Sequence, residues 1–278
     1  MVKSRLDLIL QERGLAPSRE KARAIILAGE VQVNGKCIDK PGTNIDSEAL
    51  IELMHTGPRY VSRGGLKLEK AIREFALDFT DKVVLDVGAS TGGYTDCALQ
   101  HGAKRVYAVD VGYGQLDWRL RNDDRVINIE RTNIRYFTME DLGEPVDIVT
   151  IDVSFISTEK VFPVVKQLVK PAGNLAVLIK PQFEAGKNKV GKKGVVKDSA
   201  VHLEVLLKSM DIAQQHGMGC VGCTYSPITG PQGNIEFFLH LINNAPMDPE
   251  MPGRAVSLVE EAHHELGGKR NIESTAGK

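Results

Sequence analysis

The sequence has 278 residues, with 35 Lys and Arg against 36 Asp and Glu, a formal net charge of −1, and 42% hydrophobic residues. This composition is typical of a globular protein with enough length for one large domain and a smaller companion. Four scattered cysteines exclude a disulfide-built secreted scaffold and favour a reducing, cytoplasmic compartment. The apolar runs are far shorter than the roughly 18 residues that span a bilayer, so we expect no membrane segment.

Positive charge is concentrated in three segments although the whole chain is nearly neutral. These segments are residues 1–40, 59–73 and 180–197, and the last holds six Lys against one Glu. Local basic surfaces on a neutral protein favour a polyanionic partner that binds on one face. The alternative is that these are ordinary solvated surface residues.

The first fifty residues predict two short helices followed by a β-hairpin. Apolar residues repeat at helical spacing from residue 6 to residue 10, and Ser18 is placed to cap a second helix. Residues 31–35 have the sequence VQVNG, in which alternating Val residues lead into an Asn-Gly turn. The partner strand of this hairpin is expected within residues 45–53.

This arrangement resembles the S-four-type RNA-binding module of a ribosomal protein and of several RNA-modifying enzymes. We assign the module to residues 1–54 and a linker to residues 55–62. The resemblance implies that RNA is bound by basic residues of the module, namely Arg5, Arg13, Arg19, Lys36 and Lys40. The residues leave open that the helical hairpin is an oligomerisation arm, although we expect a monomer.

Beyond the linker, strand-like apolar runs alternate with helical ones, which predicts a doubly wound parallel sheet over residues 63–244. Runs such as VVLDV at 83–87 are apolar on both faces, as central parallel strands are. The last two strands are separated by only about ten residues, so we expect them to pair as an antiparallel hairpin. Residues 245–278 predict a C-terminal helix and a flexible tail.

The ends of the predicted strands favour S-adenosylmethionine as a ligand. Ligands of open α/β sheets bind beyond the carboxyl ends of the strands, and here the first strand leads into the turn DVGASTGG. A dinucleotide site would need G-x-G-x-x-G, and Asp86 would repel a pyrophosphate. Asp86 instead suits a cationic amino-acid group, and Asp110 is placed to accept both ribose hydroxyls. The alternative is a tight turn followed by a solvated acid.

With these residues the chain resembles the class I methyltransferases, including their antiparallel last strand. The residues predicted to hold the cofactor are Asp86, Gly88, Ser90, Thr91, Gly92, Asp110, Val111, Asn133 and Asp152.

Four ionisable residues that are distant in sequence are expected at this same edge of the sheet. Lys67 lies near the start of a helix, Asp152 and Lys180 end neighbouring parallel strands, and Glu236 begins the antiparallel last strand. Together with the segments RYVSRGG, IKPQFE and GNIEFF, they resemble the Lys-Asp-Lys-Glu tetrad of the FtsJ-like ribose 2′-O-methyltransferases. With the N-terminal module included, the whole chain resembles the TlyA family. The resemblance implies methylation of cytidines of ribosomal RNA in assembled subunits.

A ribose hydroxyl is a poor nucleophile, so a general base must accept its proton during methyl transfer. Lys180 can act as this base only in its neutral form, which burial and the nearby Lys67 favour and the acids oppose. Asp152 would then orient Lys180, while Lys67 and Glu236 hold ribose and phosphate. The basic loop after Lys180 either binds RNA phosphates or covers the site as a lid. Arg63, Lys187 and Lys189 are added to the predicted RNA-binding residues.

Other chemistries fit the sequence less well. A pyrimidine-C5 methyltransferase would need a Cys after Pro, and the Asp/Asn-Pro-Pro-aromatic turn of many base N-methyltransferases is replaced by DVSF at 152–155. Cys220 and Cys223 lack a second pair of ligands, so no metal site is predicted. Two alternatives stay open: a catalytically silent RNA-binding factor, and a haemolysin activity, whose label proteins of this family also carry.

Overall fold

The computed structural model describes residues 3–53 and 59–267 of the chain. The contacts within it divide the chain into two compact units, one ending at Arg59 and the other beginning at Tyr60. Residues 55–58 of the predicted linker and the predicted tail after Gly267 lie outside the described residues.

The N-terminal unit contains strands β1 (Lys3–Arg5), β2 (Val31–Val33), β3 (Lys36–Cys37), β4 (Asn44–Asp46) and β5 (Ile51–Leu53), and helices α1 (Leu6–Glu12) and α2 (Arg19–Leu27). Both predicted helices form, and the Ser18 hydroxyl accepts a hydrogen bond from the Lys21 amide at the start of α2. β2 pairs antiparallel with β3 across a turn in which Asn34 and Gly35 both have positive φ. This is the conformation that Asn-Gly hairpins adopt. The partner across this turn is therefore β3, and the prediction that placed it within residues 45–53 is wrong. β5, which lies in that segment, pairs with the other side of β2, and β1 pairs with β4.

The larger unit contains eight helices among its described residues, namely α3 (Gly64–Phe75), α4 (Gly93–Gln100), α5 (Trp118–Arg121), α6 (Met139–Leu142), α7 (Phe162–Leu168), α8 (Pro181–Glu184), α9 (Ser199–Gln215) and α10 (Met251–Gly267). Its strands are β6 (Val83–Val87), β7 (Arg105–Val109), β8 (Val126–Ile129), β9 (Val146–Ile151), β10 (Val169–Ile179), β11 (Met218–Tyr225) and β12 (Phe237–Asn243). Short 3₁₀ helices occur at Ile134–Tyr136, Thr158–Lys160 and Lys187–Lys189.

These strands form one sheet in the order β11-β12-β10-β9-β6-β7-β8. β6 to β10 are mutually parallel, whereas β12 is antiparallel to both β10 and β11. The predicted α/β sheet with an antiparallel last strand is therefore confirmed. Because β12 is reversed, its first residue lies at the edge where the parallel strands end.

Alternate residues of the central strands pack into two helical layers, as expected for a sheet covered on both faces. Val83, Leu85 and Val87 belong to the layer formed with α7, α9 and α10, while Val84 packs with α3 and α4. The last helix is part of this packing, because its apolar face is buried against the sheet. Both layers leave the carboxyl edge of the sheet open for ligands.

Candidate active site

The turn after β6 is held tightly between two neighbouring strand ends. Gly88 has a φ of +88°, and a Cβ at this position would lie 2.6 Å from the backbone oxygen of Asp152. The amides of Gly88 and Ala89 donate hydrogen bonds to the Val109 carbonyl, at 2.8 and 3.1 Å. Only glycine allows the backbone to approach this closely, so the turn, the end of β7 and the loop after β9 form one surface.

A cleft of about 780 Å³ opens above this surface, and it is lined by six of the predicted cofactor residues: Gly88, Ser90, Asp110, Val111, Asn133 and Asp152. The Asp110 carboxylate accepts hydrogen bonds from the amides of Ser90 (2.9 Å) and Gly112 (2.6 Å). Each carboxylate oxygen has a second lone pair, so Asp110 keeps the capacity to accept ribose hydroxyls. Val111 is 68% exposed and adds apolar surface to the rim.

Three predicted cofactor residues, Asp86, Thr91 and Gly92, do not line this cleft. Asp86 is 1% exposed, and its carboxylate accepts hydrogen bonds from the hydroxyls of Thr95 (2.7 Å) and Thr150 (3.1 Å). Burial raises the pKa of Asp86 to about 7. Asp86 therefore ties β6 to α4 and β9 from inside the core.

Gly92 contributes to the packing at the start of α4, and the cofactor contacts predicted for Asp86 and Gly92 stay predictions. A Cβ on Gly92 would meet the side chains of Leu120 and Leu116 at 2.3 and 2.8 Å. Thr91, the remaining predicted cofactor residue, lines a second cleft of about 480 Å³. The two clefts share Gly88, Ser90, Asp152 and Ser154, so they meet beside Asp152.

The four residues of the predicted tetrad meet in the second cleft. Lys67 Nζ lies 2.6 Å from Glu236 Oε2 and 3.7 Å from Asp152 Oδ2, and Lys180 Nζ lies 2.5 Å from Asp152 Oδ1. Both lysines are 8% exposed and Glu236 is 1% exposed. The Asp152 side chain is 18% exposed. Burying charges is costly unless each is paired, and here two cations face two anions.

Each tetrad residue is placed by an element whose other residues are held in the core. Lys67 lies in the first turns of α3, which is fixed by the buried side chains of Leu68 and Ala71. Asp152 directly follows β9, and Lys180 directly follows β10. Glu236 precedes β12, and its carbonyl accepts a hydrogen bond from the Ser226 amide at 2.8 Å. The reversed direction of β12 is what brings Glu236 to the other three.

Several residues around the tetrad were not predicted from the sequence. Lys180 Nζ donates a hydrogen bond to Ser154 Oγ at 2.9 Å, and Gln182 Nε2 donates one to Glu236 Oε1 at 3.3 Å. Tyr94 is buried beside the second cleft, and burial, together with the charges of Asp152 and Glu236, holds its pKa well above the ordinary value. The sequence signal for Ser154 is the DVSF turn at 152–155, which brings its hydroxyl next to the end of β10.

An exposed aromatic ring stands at the rim of the larger cleft. Phe155 is 91% exposed, has a φ of +64°, and lies with its ring centroid 5.0 Å from that of Phe183. A bulky residue in the left-handed region is uncommon and is often found at functional sites.

Three arginines predicted to bind RNA also form contacts within the N-terminal unit, and their RNA-binding role stays a prediction. Arg5 donates two hydrogen bonds to the buried Asp7, at 3.0 and 2.9 Å, and Arg19 donates a third at 3.1 Å. The hydrogen bond from Arg5 is the main cause that lowers the pKa of Asp7 to about 2. Arg13 donates hydrogen bonds to the carbonyls of Ala49 and Ser47.

The other predicted RNA-binding residues differ in what they contact. Lys36 and Lys40 are exposed on the N-terminal unit, and Lys187 is exposed beside a hollow bordered by the Phe183 ring. Lys189 forms an ion pair with Glu204 at 2.5 Å. Arg63 lines the second cleft and donates a hydrogen bond to the Thr229 carbonyl at 3.3 Å.

Comparison with known proteins agrees with this architecture. Residues 60–243 match the FtsJ-like methyltransferase family, and residues 4–51 match the S4 domain. The chain is 50% identical to YqxC of Bacillus subtilis, named as a candidate rRNA methyltransferase, over 96% of this chain and 97% of that protein. It is 44% identical to the 16S/23S rRNA (cytidine-2′-O)-methyltransferase TlyA of Mycobacterium tuberculosis, over 86% of this chain and 90% of the relative.

A solved structure of a candidate haemolysin from Streptococcus thermophilus is 43% identical, with a TM-score of 0.74 over 98% of this chain and 99% of that one. The fold and these matches define an FtsJ-like methyltransferase joined to an S4 domain. The chain belongs to the TlyA family of rRNA methyltransferases. Within residues 3–53 and 59–267, no helix has the length and hydropathy needed to cross a membrane.

Proposed function

We propose that this protein transfers the methyl group of S-adenosylmethionine to the ribose 2′-hydroxyl of a cytidine in the RNA of cytoplasmic ribosomal subunits. The observation that carries the proposal is the tetrad of Lys67, Asp152, Lys180 and Glu236, which pairs two lysines with two carboxylates where two clefts meet. The name of the M. tuberculosis relative supports cytidine and ribosomal RNA as the target.

The larger cleft fits S-adenosylmethionine in size and in the chemistry of its lining. Asp110 would hold the ribose hydroxyls, Val111 would cover one side of the adenine, and the turn at Gly88 leaves room for close contact with the backbone. When bound, the cofactor supplies a methyl group on a positively charged sulfur. Asp152 lines both clefts, so a ligand in either cleft contacts the same carboxylate.

The tetrad supports proton removal from a ribose hydroxyl in the second cleft. Lys180 Nζ accepts the proton, and Asp152 at 2.5 Å holds this nitrogen in place. Lys67 also lies 3.7 Å from Asp152, so the two lysines share this carboxylate. Glu236 fixes Lys67, whose remaining N–H groups are available to a ribose or phosphate oxygen.

The surroundings of the clefts suit an unstacked nucleotide of RNA. The exposed ring of Phe155 offers a face on which a base can stack, as aromatic side chains commonly do with single-stranded RNA. Arg63 in the second cleft and Lys187 beside Phe183 supply positive charge for neighbouring phosphates. In the N-terminal unit, the exposed Lys36 and Lys40 are the residues that we propose for docking to the subunit RNA.

The proposal is tested by mapping 2′-O-methyl groups on the rRNA of both subunits from cells with and without the gene. We expect at least one cytidine to lose its mark without the gene and to regain it with the wild-type gene. A Lys180→Ala gene should not restore the mark, although the variant should bind S-adenosylmethionine in calorimetry like the wild type. Identical maps with and without the gene would contradict the proposal, and absence of cofactor binding by the wild type would favour a silent RNA-binding factor.

A further inference from the structure

Lys180 contacts a serine that is not part of the tetrad. Its Nζ lies 2.5 Å from Asp152 Oδ1 and donates a hydrogen bond to Ser154 Oγ at 2.9 Å. The lysine is nearly buried, whereas Ser154 is exposed and lines both clefts. Ser154 therefore lies where a ligand in either cleft would meet the lysine.

The two contacts of Lys180 have a consequence for the direction of its lone pair. An amine nitrogen has four tetrahedral positions, one of which is its bond to Cε. In a neutral lysine the other three positions hold two hydrogens and one lone pair. The two hydrogens are donated to Asp152 Oδ1 and Ser154 Oγ. With Asp152 as the only acceptor, rotation about the Cε–Nζ bond could place the lone pair in either of two positions. With Ser154 accepting as well, only one position is left.

We propose that Ser154 is a positioning residue that directs the lone pair of Lys180 toward the ribose 2′-hydroxyl. This inference rests on the proposed function, in which Lys180 accepts the hydroxyl proton. In that step the O–H bond of the ribose breaks and an N–H bond forms on Lys180. The ribose oxygen uses the released electron pair to bond the methyl carbon, and the pair of the carbon–sulfur bond stays on sulfur.

The turn that carries Ser154 is fixed at both of its ends. The Asp152 amide donates a hydrogen bond to the Val87 carbonyl at 3.0 Å. At the other end, Glu184 accepts hydrogen bonds from the Ser157 hydroxyl at 2.7 Å and the Thr158 amide at 2.8 Å. Between them, Phe155 is held in the left-handed region. A hydroxyl on a turn restrained in this way can keep an amine in one orientation.

The experiment compares Ser154→Ala, which removes the acceptor, with Ser154→Thr, which keeps a hydroxyl on the same atom of the side chain. Methylation of ribosomal subunits is measured under steady-state conditions for the full chain. Losing a hydrogen bond to a group that becomes charged corresponds to roughly a ten- to hundredfold fall in kcat. We expect this fall for Ser154→Ala, with KM for the subunit and Kd for S-adenosylmethionine within about twofold of wild type. Ser154→Thr should recover most of kcat.

Ser257→Ala serves as the matched control, because Ser257 is exposed on α10 in the same unit. Equal kcat for Ser154→Ala, Ser257→Ala and wild type would overturn the role of Ser154 while leaving the proposed function intact. A Ser154→Thr variant as slow as Ser154→Ala would overturn it too, since the hydroxyl would then not be the group that matters. If the wild type itself left ribose unmethylated, both the proposed function and this inference would fall.

Discussion

Each unit of the chain buries an aspartate, and the two differ in what surrounds them. In the N-terminal unit, Asp7 is bound by the guanidinium groups of Arg5 and Arg19, and its pKa is lowered to about 2. In the larger unit, Asp86 is bound by two threonine hydroxyls, and burial raises its pKa to about 7.

The difference shows that burial alone does not determine the charge of a carboxyl group. A guanidinium partner more than offsets the loss of water around Asp7, whereas two neutral hydroxyls do not offset it around Asp86. In the larger unit, buried cations are instead found in the tetrad, where Lys67 and Lys180 face the clefts. Partly exposed arginines thus stabilise a buried carboxylate in the N-terminal unit, whereas nearly buried lysines serve the proposed reaction in the larger one.

The largest expected effect comes from removing the Lys67–Glu236 pair as a whole, in the double variant Lys67→Met/Glu236→Met. Replacing a buried ion pair by apolar residues is often neutral or stabilising, so the free energy of unfolding should not fall. Methyl transfer should fall on the order of a thousandfold, because the ribose loses the cation that faces it. Activity is measured on ribosomal subunits, and unfolding is followed by the fluorescence of Trp118, the single tryptophan of the sequence.

If the double variant kept its activity, the Lys67–Glu236 pair would be needed neither for stability nor for methyl transfer. The proposed difference between the two units would then not hold. The single variant Glu236→Gln is the control, because it leaves Lys67 buried with only the more distant Asp152. We expect it to lower the free energy of unfolding by about 3 kcal/mol.

Asp86→Asn is expected to change how the larger unit responds to pH. Between about pH 4 and pH 7 the folded state keeps the Asp86 proton while the unfolded state releases it. The contribution of Asp86 to the free energy of unfolding of the wild type therefore falls as pH rises through that interval, and it is constant above it. The variant lacks this pH dependence. Its free energy of unfolding should therefore exceed that of the wild type by an amount that grows toward pH 7, to about 4 kcal/mol at most. Urea unfolding at pH 5 and pH 8 measures the change, and a constant difference would contradict it.

Asp7→Asn should lower the stability of the N-terminal unit, whereas Asp86→Asn should raise that of the larger unit. The lowered pKa of Asp7 means that its stabilisation is fully present above about pH 4 and is lost as pH falls toward 2. The variant should lower the stability of this unit by about 2 kcal/mol at neutral pH. Hydrogen exchange of residues 3–53 measures the effect, with the exposed Asp39→Asn as a control that should leave exchange unchanged.

The smallest effects are expected at the exposed lysines of the N-terminal unit. Lys36→Gln and Lys40→Gln should each lower the slope of RNA affinity against salt concentration by about 0.7–0.9, because one phosphate contact is lost. Neither change should alter hydrogen exchange. Arg19→Gln should alter exchange because it removes a partner of Asp7. An Arg19 variant that weakened RNA binding with unchanged exchange would support the RNA-binding role predicted for it from the sequence.

The sequence predicted the architecture well where local signals and chain direction were sufficient. The Asn34-Gly35 turn identified its hairpin, and the short connection before the last strand required an antiparallel pair, which in turn placed Glu236 beside Lys180. It did not predict the burial of Asp86, which arises because β6 extends to Val87 and places Asp86 within the strand. Asp110 lies one residue beyond β7 and reaches the cleft.

The arginines of the N-terminal unit show a second limit of prediction from sequence. Arg5 and Asp7 are close in sequence, but the contact of Arg19 with the same carboxylate depends on how α1 packs against α2. Charge counts along the chain do not contain that information. The hydrogen bond between Ser154 and Lys180 was missed for the same reason, because it joins loops that follow two different strands.

The separation of Lys67 and Glu236 along the chain determines when the tetrad can be completed during synthesis of the protein. These residues are 169 positions apart, and β12, which delivers Glu236, must insert between β10 and β11. A nascent chain that has emerged only as far as β11 already contains every residue of the larger cleft but not the complete tetrad. If the proposed function holds, the chain cannot complete methyl transfer until Glu236 has left the exit tunnel and β12 has joined the sheet.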